Sequence, residues 1–141
     1  YDVTFGKYIP LHFVKFCIVG SLGVLVNMGA YWLIADWLSA GQDIKIHNFR
    51  LSVIGATEIA IMFNYTLNNF WTFRDQKLYG KDAFYGFLKF TGACLLGAIA
   101  HFGVSTYLFE RCIPELASVF FGAMASVLWN YASNRMITWK K

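Results

Sequence analysis

Two eleven-residue stretches carry much of the polar chemistry in an otherwise apolar chain: "NYTLNNFWTFR" at 64–74 and "NYASNRMITWK" at 130–140. Both read Asn-Tyr-x-x-Asn-x-x-x-Thr-aromatic-base, so Asn64, Asn68, Thr72 and Arg74 correspond to Asn130, Asn134, Thr138 and Lys140. A carboxamide offers both donors and acceptors, and asparagines four apart share one face of a helix. Such residues can do two things. They can join helices inside a membrane, where an interhelical hydrogen bond is worth roughly 0.6–2 kcal/mol. Beside cations they can also surround a phosphate, the bases supplying charge and the amides oriented donors. Lys15, Arg74, Lys89, Arg135 and Lys140 are expected at the same end of the helices as Asn68 and Asn134. The plainer role for those bases is orientation of the helices and snorkelling to the interface.

A second polar layer lies deeper. Asn27 is roughly 20 Å along its helix, near the depth expected of Glu58 and His101. An ionisable group at that depth is costly and usually faces protein or water. Glu58 is therefore expected as a buried neutral acid, or as a partner of His101 or of a polar substrate group. Its counterpart in the second stretch is Met124, so this chemistry is not duplicated. No nucleophile–base pair, paired carboxylates, phosphate-cradling glycine loop or metal-ligand spacing is visible, so no catalytic residue, cofactor or metal is expected.

The elements that position these residues follow from the distribution of charge. The chain has 141 residues, 57% hydrophobic and only 14% charged, against roughly a quarter charged in a soluble domain. Residues 16–35, 90–109 and 116–134 hold no Asp, Glu, Lys or Arg, and 51–73 hold only Glu58. Each approaches the ~20 residues that cross a hydrocarbon core. The expected fold is an all-α integral membrane bundle of four transmembrane helices. Lys7 and Lys15, then Arg74, Lys77, Lys81 and Lys89, then Arg135, Lys140 and Lys141 mark the amino terminus, the central loop and the carboxyl terminus as cytoplasmic. The net charge of +4 is thus mainly a one-sided basic fringe facing anionic lipid, not a nucleic-acid footprint. Cys17, Cys94 and Cys112 fit no metal spacing, and Cys17 and Cys94 read as small apolar residues in helices. No cleavable signal peptide is expected, and the opening Tyr1 fits a processed or excised piece.

The first halves of the two units also repeat. "FVKFCIVGSLGVLVN" (13–27) aligns with "FLKFTGACLLGAIAH" (87–101), matching Lys15 with Lys89, Gly23 with Gly97 and Asn27 with His101. The chain is thus a single domain, 1–141, of two repeats at about 12–75 and 86–140. An even number of crossings per repeat makes them parallel, about an axis near the membrane normal. Gly20, Gly23 and Asn27, and Cys94, Gly97 and His101, are expected to turn a small or polar stripe inward. Ala60, Asn64 and Asn68, and Ser126, Asn130 and Asn134, should do the same on the returning helices.

These motifs, with "VKFCIVGSLG" opening the first helix, resemble the GtrA-like family of small four-helix membrane proteins. The resemblance spans about residues 12–140, and its second copy departs at Met136-Ile137, where an aromatic pair is usual. It implies translocation of a polyprenyl-phosphate-linked monosaccharide for cell-surface polysaccharide or glycolipid synthesis. The alternative it implies is a non-transporting membrane anchor, as domain or subunit, of a polyprenyl-phosphate glycosyltransferase. Expected partners are the polyprenyl-phosphate sugar lipid, membrane lipid, a glycosyltransferase and a second copy of the chain. Expected substrate-binding residues are Lys15, Asn27, Glu58, Asn64, Asn68, Arg74, Lys89, His101, Asn130, Asn134, Arg135 and Lys140.

Overall fold

A computed structural model describes residues 4–5, 9–40 and 46–139. Apart from a short antiparallel pair, β1 (Thr4–Phe5) with β2 (Ile9–Pro10), the structure is helical: α1 Leu11–Ser39, α2 Ile46–Leu67, α3 Gly80–Glu110 and α4 Glu115–Ser133. Proline sets two helix starts. Pro10 (φ −61°, ψ 135°) and Pro114 (φ −51°, ψ 140°) hold the extended backbone from which α1 and α4 begin, a conformation the pyrrolidine ring favours. Gly80, which opens α3, has φ +54°, a left-handed position that costs glycine nothing sterically. α1 ends at Ala40, whose N–H donates to the Asp36 carbonyl at 3.0 Å. The Asn48 Nδ2 then donates to the Leu38 carbonyl at 3.0 Å, tying the start of α2 to the end of α1.

Among the described residues two helices are long and apolar enough to cross a bilayer: α1, and Gly80–Leu108 of α3, each of 29 residues. At 1.5 Å per residue each reaches about 43 Å, more than the ~30 Å hydrocarbon thickness. Most of their apolar side chains are uncovered by protein, among them Leu25, Trp32, Leu33, Leu95, Ile99 and Phe102. That much exposed apolar surface is untenable in water and natural in lipid. The four expected spans are met only in part, because α2 and α4 fall short of the same measure. In α2 the apolar run is diluted by Asn48, Ser52, Thr57, Glu58 and Asn64.

The chain divides into two compact units, Tyr1–Arg74 and Asp75–Lys141. In unit one α1 packs on α2, and in unit two α3 packs on α4. The buried positions correspond: Phe16, Val19 and Gly23 on α1 match Phe90, Ala93 and Gly97 on α3. On the returning helices Ala56 matches Gly122. Spacings of three and four make each set one helix face. This corrects the expected stripe. Gly20 has open space where a Cβ would go, and Cys94 and Asn27 are half-buried, so they lie at the margin of a face centred on Phe16 and Phe90.

Candidate functional site

Each unit builds its paired motif in the same way. In unit one the Asn64 carboxamide lies directly against Gly23, where a Cβ would overlap it; in unit two Asn130 lies in the same way against Gly97. A side chain at either glycine would have to push the asparagine aside, so glycine lets the carboxamide seat directly on the facing helix. The contact is one of shape more than of hydrogen bonding, since Asn64 Oδ1 and Asn130 Oδ1 are buried with no hydrogen-bond partner among the described residues. Asparagine and glycine therefore form a knob and a seat.

One turn further on, both returning helices widen into π-helix, at Asn68–Thr72 and Asn134–Thr138. The Phe73 N–H donates to the Asn68 carbonyl at 2.8 Å and the Trp139 N–H to the Asn134 carbonyl at 3.0 Å. Both turns end in nearly the same backbone conformation, φ −110° with ψ 36° or 34°. In unit two the Asn134 side chain ties the turn together: Nδ2 donates to the Asn130 carbonyl at 2.8 Å, and Thr138 Oγ1 donates to Asn134 Oδ1 at 2.8 Å. In unit one Asn68 Oδ1 and Thr72 Oγ1 are buried without a partner among the described residues. The aromatic that follows is buried under each turn. Phe73 stacks with His12, ring centroids 5.8 Å apart, and Trp139 meets Phe90 edge-on at 5.8 Å. The Asn-Tyr-x-x-Asn-x-x-x-Thr-aromatic frame thus encodes a helix seat followed by a buried π turn, a feature often found at functional sites.

This geometry sorts the expected site residues. Asn64 and Asn130 join helices, and Asn68 and Asn134, no more than 1% exposed, are interior to their turns. A phosphate at the surface has no access to them while the turns are closed. Lys15 sits over the Trp71 ring at 5.6 Å from its centroid, and an Arg135 guanidinium N–H donates to the Tyr131 hydroxyl oxygen at 3.3 Å. Arg74 is exposed in a short 3₁₀ turn, Arg74–Gln76. Lys140 lies outside the described residues.

The deep layer departs from expectation. Glu58 is exposed on α2 and so is not a buried acid within its own unit; Asn27 is half-buried on α1. His101 and Ser105, one turn apart on α3, both lie against Gly122 of α4, where a Cβ would collide with them. Helix packing accounts for His101 without a substrate.

Unit two also holds an open cleft of about 460 Å³. Its α3 wall carries Asp82, Tyr85 and Lys89, and Ile137 and Thr138 of the π turn close the other side. Only Lys89 of these belongs to the expected site residues. Asp82 and Tyr85 were missed, although 82, 85 and 89 fall at i, i+3 and i+7, the spacing of one helix face. Among the described residues no group of His, Cys, Asp and Glu is placed to hold a metal ion.

Comparison with known proteins places the chain. Residues 15–139 match the family described as GtrA/DPMS, transmembrane domain. Over 126 residues the chain is 36% identical to "Dolichol-phosphate mannosyltransferase" of Pyrococcus furiosus, an alignment covering 89% of this chain and 33% of that protein. The chain therefore spans about a third of the length of that curated relative.

Proposed function

The chain belongs to the GtrA/DPMS transmembrane-domain family and is a multi-pass integral membrane protein, and from that premise we propose that it is the membrane module of a polyprenyl-phosphate glycosyltransferase. In this role it holds the transferase at the bilayer and keeps the lipid phosphate and its sugar within reach, for synthesis of cell-surface polysaccharide or glycolipid. The module crosses the membrane four times, with both termini and the loop between α2 and α3 on the cytoplasmic side. The observation that carries the proposal is the alignment with a mannosyltransferase along 89% of this chain. The structure supports it in one respect. Asn64, Asn130 and His101 lie in helix contacts, which gives these three residues a packing role that needs no polar path across the bilayer.

Translocation of the lipid-linked sugar remains the second reading. It is favoured by Glu58, a carboxylate exposed on α2 at mid-helix, where an anchor needs no charge. Purification of the tagged protein from its native membranes in mild detergent separates the two. The module is expected to bring with it transfer of a hexose from a nucleotide sugar to polyprenyl phosphate. If no such transfer accompanies it, and the chain alone in vesicles accelerates transbilayer exchange of polyprenyl-phosphate hexose, translocation replaces anchoring.

A further inference from the structure

The two units differ at one pair of positions that bears on ligand binding. Lys15 and Lys89 correspond, as do Trp71 and Ile137. In unit one the lysine ammonium is covered by an aromatic face, Lys15 over Trp71, an interaction worth roughly 0.5–2 kcal/mol depending on desolvation. In unit two the aromatic is an isoleucine, and Lys89 lines the cleft instead. Three other described cations meet aromatic side chains, Lys77 over Tyr79, Arg111 over Tyr107 and Arg135 at the Tyr131 hydroxyl, while Arg74 and Lys81 are exposed away from the cleft lining. Lys89 has no ring contact, hydrogen bond or ion pair among the described residues.

The cleft around Lys89 has a mixed character. Its volume of about 460 Å³ lies within the roughly 300–1,000 Å³ typical of small-molecule sites. A free ammonium recognises a phosphate. Asp82, seven residues earlier on the same face, repels a bare anion but accepts hydrogen bonds from hydroxyl groups. Tyr85 lies between them in sequence and offers a ring to pack on a sugar face and a hydroxyl at its tip. Leu78 and Ile137 add apolar lining. One cation, one carboxylate, one tyrosine and an apolar edge together match a phosphate that carries a polyhydroxyl group on one side and a hydrocarbon on the other.

We propose that this cleft, and not its counterpart in unit one, seats the headgroup of an isoprenoid phosphate sugar. Lys89 holds the phosphate, Asp82 and Tyr85 hold the sugar, and Trp71 closes the equivalent position by occupying Lys15. The assignment rests on the reading that the chain handles lipid-linked sugars, and it divides the labour of the two units.

The test is equilibrium binding to the detergent-solubilised full-length protein of three probes: a short-chain isoprenyl phosphate hexose, the same isoprenyl phosphate without sugar, and the hexose phosphate without lipid. The lipid-linked sugar should bind most tightly of the three. Lys89→Met should weaken it about tenfold, the scale of one lost charge-assisted hydrogen bond. Ile137→Trp, which rebuilds the unit-one arrangement at a position 52% exposed and so free of packing strain, should weaken it to a similar degree. Lys15→Met should change it by less than about twofold. Each variant is checked for helix content and monodispersity. Equal losses in Lys15→Met and Lys89→Met, or full affinity in folded Ile137→Trp, would overturn the cleft assignment while leaving lipid-linked sugar handling intact. Equal binding of the hexose phosphate without lipid would overturn it in favour of a soluble ligand. Absence of binding to either isoprenyl phosphate by the unaltered protein would overturn both.

Discussion

Asn134→Leu is expected to destabilise the protein by about 1–3 kcal/mol, because it leaves the buried Thr138 hydroxyl without its partner and removes one of two donors to the Asn130 carbonyl. Its Nδ2 supplies a second donor to the Asn130 carbonyl, where the helical ladder changes spacing, and its Oδ1 accepts from the Thr138 hydroxyl. Both side chains are almost wholly buried, Asn134 at 0% and Thr138 at 4% exposure. Asn134→Asp keeps an acceptor for Thr138 but sets a carboxyl oxygen against the Asn130 carbonyl at a fully buried site, so it should be no more stable than Asn134→Leu. Thermal unfolding in detergent, followed by helix signal, checks the series. A stable Asn134→Leu protein that no longer binds a phosphate lipid would instead return this residue to the ligand role that its sequence frame first suggested.

Gly97→Leu should be about as damaging, at roughly 1–3 kcal/mol or somewhat more, the usual range for overpacking. The added side chain must displace the Asn130 carboxamide from the surface of α3. Gly97→Ala should cost less, since the end of the asparagine side chain can swing away. The diagnostic experiment is the pair. Asn130→Ala combined with Gly97→Leu should recover part of the loss, giving a coupling energy of about 0.5–3 kcal/mol. Gly23→Leu with Asn64→Ala should behave alike in unit one. If Gly97→Leu melts with the unaltered protein, the helices do not meet at this glycine.

Much of this arrangement was legible in the chain because repetition exposes geometry. Gly23 with Asn64 and Gly97 with Asn130 recur in the same order, and both pairs meet. What periodicity could not convey was the change of helical pitch. Asn68 and Asn134 look like ligands on a regular helix, whereas the π turns draw them and Thr72 and Thr138 inside. The inward face lies one turn earlier than expected, about 40° around the helix. Small residues at 20, 23 and 27 suggest the stripe, but Phe16 and Val19 fill it, since aromatic and aliphatic packing outweighs close approach except at Gly23. α2 meets the hydropathy measure less well than α1, because Glu58 and four other polar residues interrupt its apolar run. The cleft went unseen because its signature is a modest one. Asp82, Tyr85 and Lys89 share a face, but only the departure from Trp71 to Ile137 gives that face something to hold.

The role of the module in synthesis is open to a single measurement, the label passed from a radiolabelled nucleotide sugar into polyprenyl phosphate by membranes from cells with and without the chain. A membrane module of the transferase holds enzyme and acceptor lipid together, so its removal should cut the labelled lipid several-fold, and restoring the intact chain should restore it. Undiminished or accumulating labelled lipid in membranes that lack the chain would contradict that role and point to a step after synthesis.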